Sequence, residues 1–358
     1  MDAQKIRVLI VDDSAFMRNV LRRMIEKDPV FEVVGVATNG REGIEMVATL
    51  KPHVVTMDIE MPEMNGLQAL QYIMSSTPTP VVMISSLTAA GTEATLKALE
   101  LGAVDFIPKA LDDADKNIFR SADNIHQRLK AAAGAHAQPR AAVTAAPAST
   151  AVPAKPVAPP PQGRPQRCER AKLLLIGSST GGPRALQEVL TALPATLRVP
   201  VIVVQHMPGN FTGPMASRLN ELAPLEVTEA RDGTIARAGG IYVCPGGLMS
   251  RLVKTEGGLM IRVQPDQGES VFKPSVEVMA QSVAAALGGD VLAVMLTGMG
   301  HDGDTGYKKL HDMGAYVIAQ DQATSVVYGM PKAVADNGAA NESLPLSEIA
   351  PVLIKLLQ

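Results

Sequence analysis

Between Ala131 and Gln166 the chain holds thirteen alanines and eight prolines in 36 positions, and its only larger aliphatics there are Val143, Val152 and Val157. Such a stretch buries too little apolar surface to offset the entropy of ordering it, so the composition predicts a semi-extended tether. The Ala-rich start, 131–137, also suits prolongation of a preceding helix. The chain of 358 residues is thereby divided into residues 1–130, a linker over 131–168 and residues 169–358. Each flank is long enough to bury a core of its own.

Both flanks alternate between short apolar runs and helical periodicity. In the first, Ile6 to Val11 reads as a buried strand and Ser14 to Lys27 follows with helical spacing. Further strands are expected near 31–37, 53–57, 80–84 and 104–107, with helices near 39–50, 65–75, 91–101 and 111–131. Continuous apolar strands between amphipathic helices predict a parallel sheet covered on both faces. Five such units in about 130 residues fit a flavodoxin-like doubly wound domain, whose ligands sit at the carboxyl ends of the strands.

The second flank predicts strands at 172–177, 201–205, 241–244, 291–296 and 315–319, and helices near 183–192, 212–222, 274–287, 304–313 and 331–337. A Gly-rich alternating segment, 246–265, reads as a hairpin between them. The expected fold is a second α/β domain, a doubly wound Rossmann-like parallel sheet.

Several function classes fall away on composition. A net charge of −3, no tryptophan and 3% aromatics provide neither the electrostatic footprint nor the stacking platforms of nucleic-acid binding. The first apolar run is broken at once by Asp12 and Asp13, and no later run reaches the ~18 residues of a membrane span. No membrane insertion is expected. Two cysteines, Cys168 and Cys244, make a disulfide framework implausible and fit a reducing cytoplasm.

Asp12 and Asp13 end the first predicted strand and Asp58 ends the third. In a doubly wound sheet those ends converge, and carboxylates so close repel unless a cation screens them. Oxygen-only ligands suit Mg²⁺, which would also neutralise charge during phosphoryl transfer to a carboxylate. Lys109, after the fifth strand, would add a second positive charge, and Ser85 or Ser86 would sense the new oxygens. The plainer reading is that strand-end acids cap helices, with Ser14 and Asp13 serving the first. All of these groups falling on one sheet edge favours a site.

Gly177-Ser178-Ser179-Thr180-Gly181 satisfies G-x-S-x-G between a predicted strand and a helix opening near Gly182-Pro183. Alone it is a weak signal, because Gly/Ser loops also bind phosphates, although the lysine of a Walker-type loop is missing. A serine becomes nucleophilic when a base takes its proton and an acid orients that base. His206 ends the run Val201 to Gln205 on the edge where Ser179 should lie, and Asp302 follows the strand 291–296. His301, adjoining Asp302, is the rival base, whereas His53, His126, His136 and His311 fall at a strand start, beside the tether or on a helix. Asp304 is expected to cap the next helix. The order Ser…His…Asp differs from that of an α/β-hydrolase, so the pattern does not imply that fold. Cys244 reads as a small buried strand-end residue rather than a thiol nucleophile, and the eighteen methionines as core filler.

The segments VDDS, MDIEMPEMNG, PVVMISS and DFIPK together resemble a response-regulator receiver domain over residues 5–130. The resemblance implies phosphorylation of Asp58 by a histidine kinase, with Asp12, Asp13 and the Glu60 carbonyl around the metal. One departure is that Pro108 precedes Lys109, and Ala110 stands where receivers carry proline. GSSTGGP, QHMP, TGMGHDG and Tyr328-Gly329-Met330-Pro331 are similar to the catalytic domain of the chemotaxis protein-glutamate methylesterases, the CheB family, over 170–357. That similarity implies attack by Ser179, proton transfer by His206 and orientation by Asp302, with Met299 and Thr180 supporting the oxyanion. It implies a phosphorylation-activated serine hydrolase that cleaves glutamyl methyl esters on methyl-accepting chemoreceptors, releasing methanol, and deamidates receptor glutamines. No cofactor is expected for the ester chemistry, and the unphosphorylated receiver is expected to lie over the hydrolase cleft. A binding-only adaptor and a small-molecule esterase remain open on the residues alone.

Overall fold

The computed structural model describes residues 5–86, 88–109, 117–135, 170–268 and 270–357. Most of the expected tether, with His136 and Cys168, lies outside the described residues, as do Ala110 and the start of the helix expected at 111–131.

The first unit runs β1 (Ile6–Val11), α1 (Ala15–Ile25), β2 (Phe31–Ala37), α2 (Gly40–Leu50), β3 (Val54–Asp58), α3 (Gly66–Ser76), β4 (Val81–Ser85), α4 (Ala89–Glu100), β5 (Asp105–Pro108) and α5 (Asn117–Ala133). The sheet order β2-β1-β3-β4-β5, parallel throughout, is the doubly wound arrangement expected from the sequence. Val54, Val55, Val81 and Val82 are fully buried because helices cover both faces. Polar caps start the helices: Ser14 accepts the Met17 amide, Asn39 that of Glu42, and Asn65 forms a capping box with Gln68. Ser14, rather than Asp13, caps α1.

The second unit contains β6 (Leu174–Ser178), α6 (Gly182–Thr191), β7 (Val201–Gln205), α7 (Gly209–Leu222), β8 (Glu226–Glu229), β9 (Thr234–Ala236), β10 (Gly240–Val243), β11 (Met249–Thr255) and β12 (Gly258–Gln264). It continues with α8 (Val276–Leu287), β13 (Leu292–Met295), α9 (Asp304–Asp312), β14 (Tyr316–Gln320), α10 (Met330–Asp336), β15 (Glu342–Leu344) and α11 (Leu346–Leu357). Seven strands form a parallel sheet in the order β15-β14-β13-β6-β7-β10-β8. The expected hairpin is β11–β12, which β9 extends to a separate antiparallel sheet. The sequence reading missed β8, β9, β15 and α11. The three strands have only three or four residues each, too few for a periodic signal, and Pro351 interrupts α11. Burial of Ile349, Leu353 and Leu356 holds that helix in spite of the proline.

Two features of this topology place the chemistry. β6 lies between β13 and β7, so the three loops leaving their carboxyl ends are neighbours. Chain order reverses direction across β6, and the crevice at such a switch point is where α/β sheets bind ligands. The two units also touch: Phe106 of β5 packs on Phe211 of α7 with ring centroids 4.4 Å apart, and Arg218 of α7 reaches Glu100 of α4 at 2.8 Å.

Candidate active site and acidic pocket

Ser179 is the first residue beyond β6. Its amide donates to the Thr297 carbonyl at 3.0 Å, and the Gly182 amide donates back to the Ser179 carbonyl at 2.8 Å, closing the turn into α6. Gly181 adopts φ +76°, a left-handed conformation that favours glycine, and a Cβ there would meet Val326 at 2.6 Å. Gly298 is needed for close approach, since a Cβ on it would lie 2.9 Å from Cβ of Ser179. Pro183 occupies the first turn of α6, as expected.

His206 is the first residue beyond β7, and its amide donates to the Ser178 carbonyl at 3.1 Å, so serine and histidine leave adjacent strands side by side. Nε2 of His206 lies 2.7 Å from Oδ2 of Asp302. Nδ1 is buried and has no hydrogen-bond partner among the described residues. The hydroxyl–imidazole bond is therefore not formed in this conformation, while the imidazole–carboxylate bond is. The two candidate bases differ in burial: the His301 side chain is 82% exposed and lies 3.8 Å from Asp304, and the His206 side chain is only 9% exposed.

Asp302 sits at the amino end of α8. Besides His206 it accepts the Val276 amide at 2.6 Å, the Ser275 hydroxyl at 3.0 Å and the Glu277 amide at 3.2 Å. Burial opposes ionisation, but His206, the Val276 amide and the Ser275 hydroxyl outweigh it and hold the carboxyl below its ordinary 3.8. An acid so lowered adds stability above 3.8 that is lost only as pH falls through the lower native value. The same bonds fix the Asp302 carboxylate against Nε2 of His206. Asp304, expected to cap α9, is instead its first residue; Gly303, at φ +97°, takes the cap position.

Gln205 was missed. It ends the apolar strand β7, buried, and its amide links both loops: Oε1 accepts the Ser178 hydroxyl at 2.7 Å, and Nε2 donates to the carbonyls of Ser179 at 2.9 Å and His206 at 3.1 Å. Leucine at 205 removes three bonds worth together about 2–4 kcal/mol. Gln205→Leu should lower kcat at least about tenfold with little change in KM, measured beside its melting temperature. Cys244 follows β10 fully buried, and burial pushes its thiol up to about 12, the setting of a small buried strand-end residue.

The two residues expected to support the oxyanion differ in setting. Met299 is half-buried in the loop after β13. Thr180 is buried, and its hydroxyl donates to Oδ2 of Asp105 in the first unit at 2.7 Å. Arg128 of α5 pairs with the same carboxylate at 2.6 Å. The residue after Ser179 is thus held by the neighbouring unit, a contact the sequence had no means of revealing.

In the first unit Asp12, Asp13 and Asp58 each offer an oxygen within 4.8 Å of the others. Asp12 and Asp58 are buried and Asp13 is exposed. Lys109 reaches Asp58 at 2.6 Å and Asp12 at 3.6 Å, so the charge after β5 is where the sequence placed it despite the shifted proline. Burial pushes the Asp12 and Asp58 carboxyls up; Lys109 opposes this in both, and the Ser14 amide does so in Asp12. Among the described residues Oδ2 of Asp12 has no hydrogen-bond partner closer than Lys109 at 3.6 Å. A hard divalent cation fits this set of oxygens. Ser85 ends β4, but its hydroxyl bonds to the Gly91 carbonyl at 3.2 Å and to Thr95, not to Asp58; Ser86 bonds to Thr88 at 3.1 Å.

Fold and site together define a hydrolase domain with a serine–histidine–aspartate rim, coupled to a phosphoacceptor domain. The CheB methylesterase family model matches residues 174–353 and the response regulator receiver domain model residues 8–117. A protein-glutamate methylesterase/protein-glutamine glutaminase from Oleidesulfovibrio alaskensis is 43% identical over 98% of both chains. One of that name from Symbiobacterium thermophilum is 46% identical over 98% of this chain and 96% of its own. The crystal structure of the Thermotoga maritima CheB methylesterase catalytic domain, 38% identical, covers 52% of this chain and 98% of its own with a TM-score of 0.50. The chain belongs to the CheB methylesterase family. Among the described residues, no helix is long and apolar enough to cross a membrane.

Proposed function

We propose that the protein is a phosphorylation-activated protein-glutamate methylesterase and protein-glutamine glutaminase whose nucleophile is Ser179. The observation that carries this reading is the His206–Asp302 pair at 2.7 Å, with Nδ1 the one ring nitrogen left for the adjacent Ser179. Rotation of the hydroxyl toward Nδ1 starts the reaction. Oγ attacks the δ-carbonyl of a glutamyl methyl ester while Nδ1 takes its proton, and Asp302 stabilises the resulting imidazolium through Nε2–H. The tetrahedral oxyanion is assigned to backbone amides around Thr180 and Met299, a kind of donor worth about 3 kcal/mol. Collapse breaks the C–O bond, and Nδ1–H protonates the departing methoxide to methanol. Water, deprotonated by the same nitrogen, then cleaves the glutamyl-serine ester to glutamate. A glutamine substrate follows the same path, with ammonia leaving.

The substrates are methyl-accepting chemoreceptors in the cytoplasm, and the phosphodonor is a histidine kinase. Asp58 accepts the phosphoryl group; Asp12, Asp13 and Asp58 would hold Mg²⁺, whose charge offsets that of the transferring phosphate. Lys109 then exchanges its bond to Asp58 for the new oxygens, and Ser85 is the hydroxyl assigned to follow them, leaving its contacts to α4. Asp105 opens β5 and Lys109 directly follows its last residue, so this short strand is assigned to carry the change to the Thr180 contact. A methanol-release assay on methylated receptor, with and without phosphodonor, tests both halves: equal rates in the two conditions would remove the control.

Mg²⁺ alone provides a separate check. At one hundred times its Kd an ion that binds only the folded state stabilises it by about 2.7 kcal/mol. The thermal midpoint of the receiver transition should rise accordingly and stay flat in Asp13→Asn.

A further inference from the structure

The loop entering α8 lays Phe272 flat on His206, with ring centroids 4.4 Å apart and planes 4° from parallel. The ring edge is used otherwise: Asp302 lies at Nε2, and Nδ1 is left for the nucleophile proposed above. Phe272 is 37% exposed and Val271 before it 92%, so the phenyl is not there to fill a core. Its outer tip faces the loop that carries Asp302, since a Cβ built on Gly300 would lie 4.0 Å from Cζ. The charged groups nearby are engaged elsewhere. Lys273 pairs with Asp266 at 2.9 Å, Glu277 accepts the Gly306 amide at 2.7 Å, and His301 turns to Asp304 at 3.8 Å.

We infer that Phe272 is a positioning residue that clamps the His206 ring and stabilises its protonated form during acyl transfer. This rests on His206 being the proton acceptor proposed above. An aromatic face carries negative quadrupole density and attracts a cation laid over it, more strongly where water is excluded. Neutral imidazole gains little from that attraction, whereas the imidazolium that forms as Ser179 attacks gains it in full. Interaction that grows toward the transition state raises kcat; interaction present throughout alters only binding. The same stack blocks tilting of the ring out of the plane that Asp302 and Nδ1 require.

The experiment uses the full chain with Mg²⁺ and a phosphodonor, and reads methanol release from methylated receptor for Phe272→Leu, Phe272→Tyr and Phe272→Trp. Leucine keeps apolar bulk and removes the π face, so it should lower kcat about tenfold with KM changed by less than about twofold. Tyrosine and tryptophan should retain most of the rate, because both present an aromatic face. A purely structural role would rank the variants by fit, with tryptophan the worst. The inference is overturned if Phe272→Leu matches wild type in kcat, if its loss lies in KM alone, or if the aromatic variants lose as much as leucine. His206→Gln separates the two layers of the argument. If that variant keeps full activity, the base assignment itself fails; if it is inactive while Phe272→Leu is unimpaired, only the role of Phe272 falls.

Discussion

Ser179→Ala should reduce methanol release from methylated receptor by about 10⁴–10⁶-fold while leaving phosphorylation of Asp58 unchanged. Without the hydroxyl no acyl-enzyme forms, and only binding and oxyanion stabilisation are left to assist water. Asp302→Asn should cost about 10⁴-fold, because a neutral amide neither selects the Nε2–H tautomer nor stabilises the imidazolium. His301→Ala should stay near wild type, since that ring is exposed and turned away from Asp302 toward Asp304. The three variants together test the geometry: a large loss at His301, or full turnover without the Ser179 hydroxyl, would show that a different constellation does the chemistry.

The second large effect should come from outside the catalytic domain, at Asp105. Its carboxylate accepts the Thr180 hydroxyl and pairs with Arg128, joining the receiver to the residue after Ser179. A hydrogen bond to an ionised acceptor contributes about 1.5–3 kcal/mol. Removing it should shift a closed–open equilibrium by roughly 10–100-fold. Asp105→Ala should therefore raise methanol release without phosphodonor by up to that factor and change the phosphorylated rate little. Asp105→Asn, which keeps the shape and a weaker neutral acceptor, should give a smaller rise. Unchanged basal rates in both variants, with the receiver still folded by its thermal transition, would show that this contact does not restrain the enzyme.

Much of the site was legible because its residues stand at strand ends, and strand ends are marked where an apolar run stops. Asp12, Asp58, Lys109, Ser179 and His206 were singled out in this way, and Asp302 by the run before its loop; the structure places Lys109 2.6 Å from Asp58 and His206 2.7 Å from Asp302. Choosing between His206 and His301 was harder, since neighbours in sequence are not neighbours in space: His301 adjoins Asp302 along the chain, yet His206 is the one bonded to it. Gln205 carried a faint signal, a polar residue closing an otherwise apolar strand. Phe272 carried none, because its stack on His206 depends on how the loop before α8 folds back. The cap of α9 was assigned to Asp304 on propensity, and the left-handed turn at Gly303 displaced it by one residue.

Local patterning determined the order of the longer strands and helices, though not β8, β9, β15 or α11, together with the two doubly wound sheets and the edge on which each set of polar residues would gather. Those outcomes follow from periodic burial along the chain, which short-range sequence encodes directly. Tertiary structure alone decided which ring nitrogen faces the carboxylate, which aromatic covers that ring, and which receiver side chain holds Thr180. Each of these depends on groups far apart in sequence meeting within about 3–5 Å, and periodicity carries no information on such encounters.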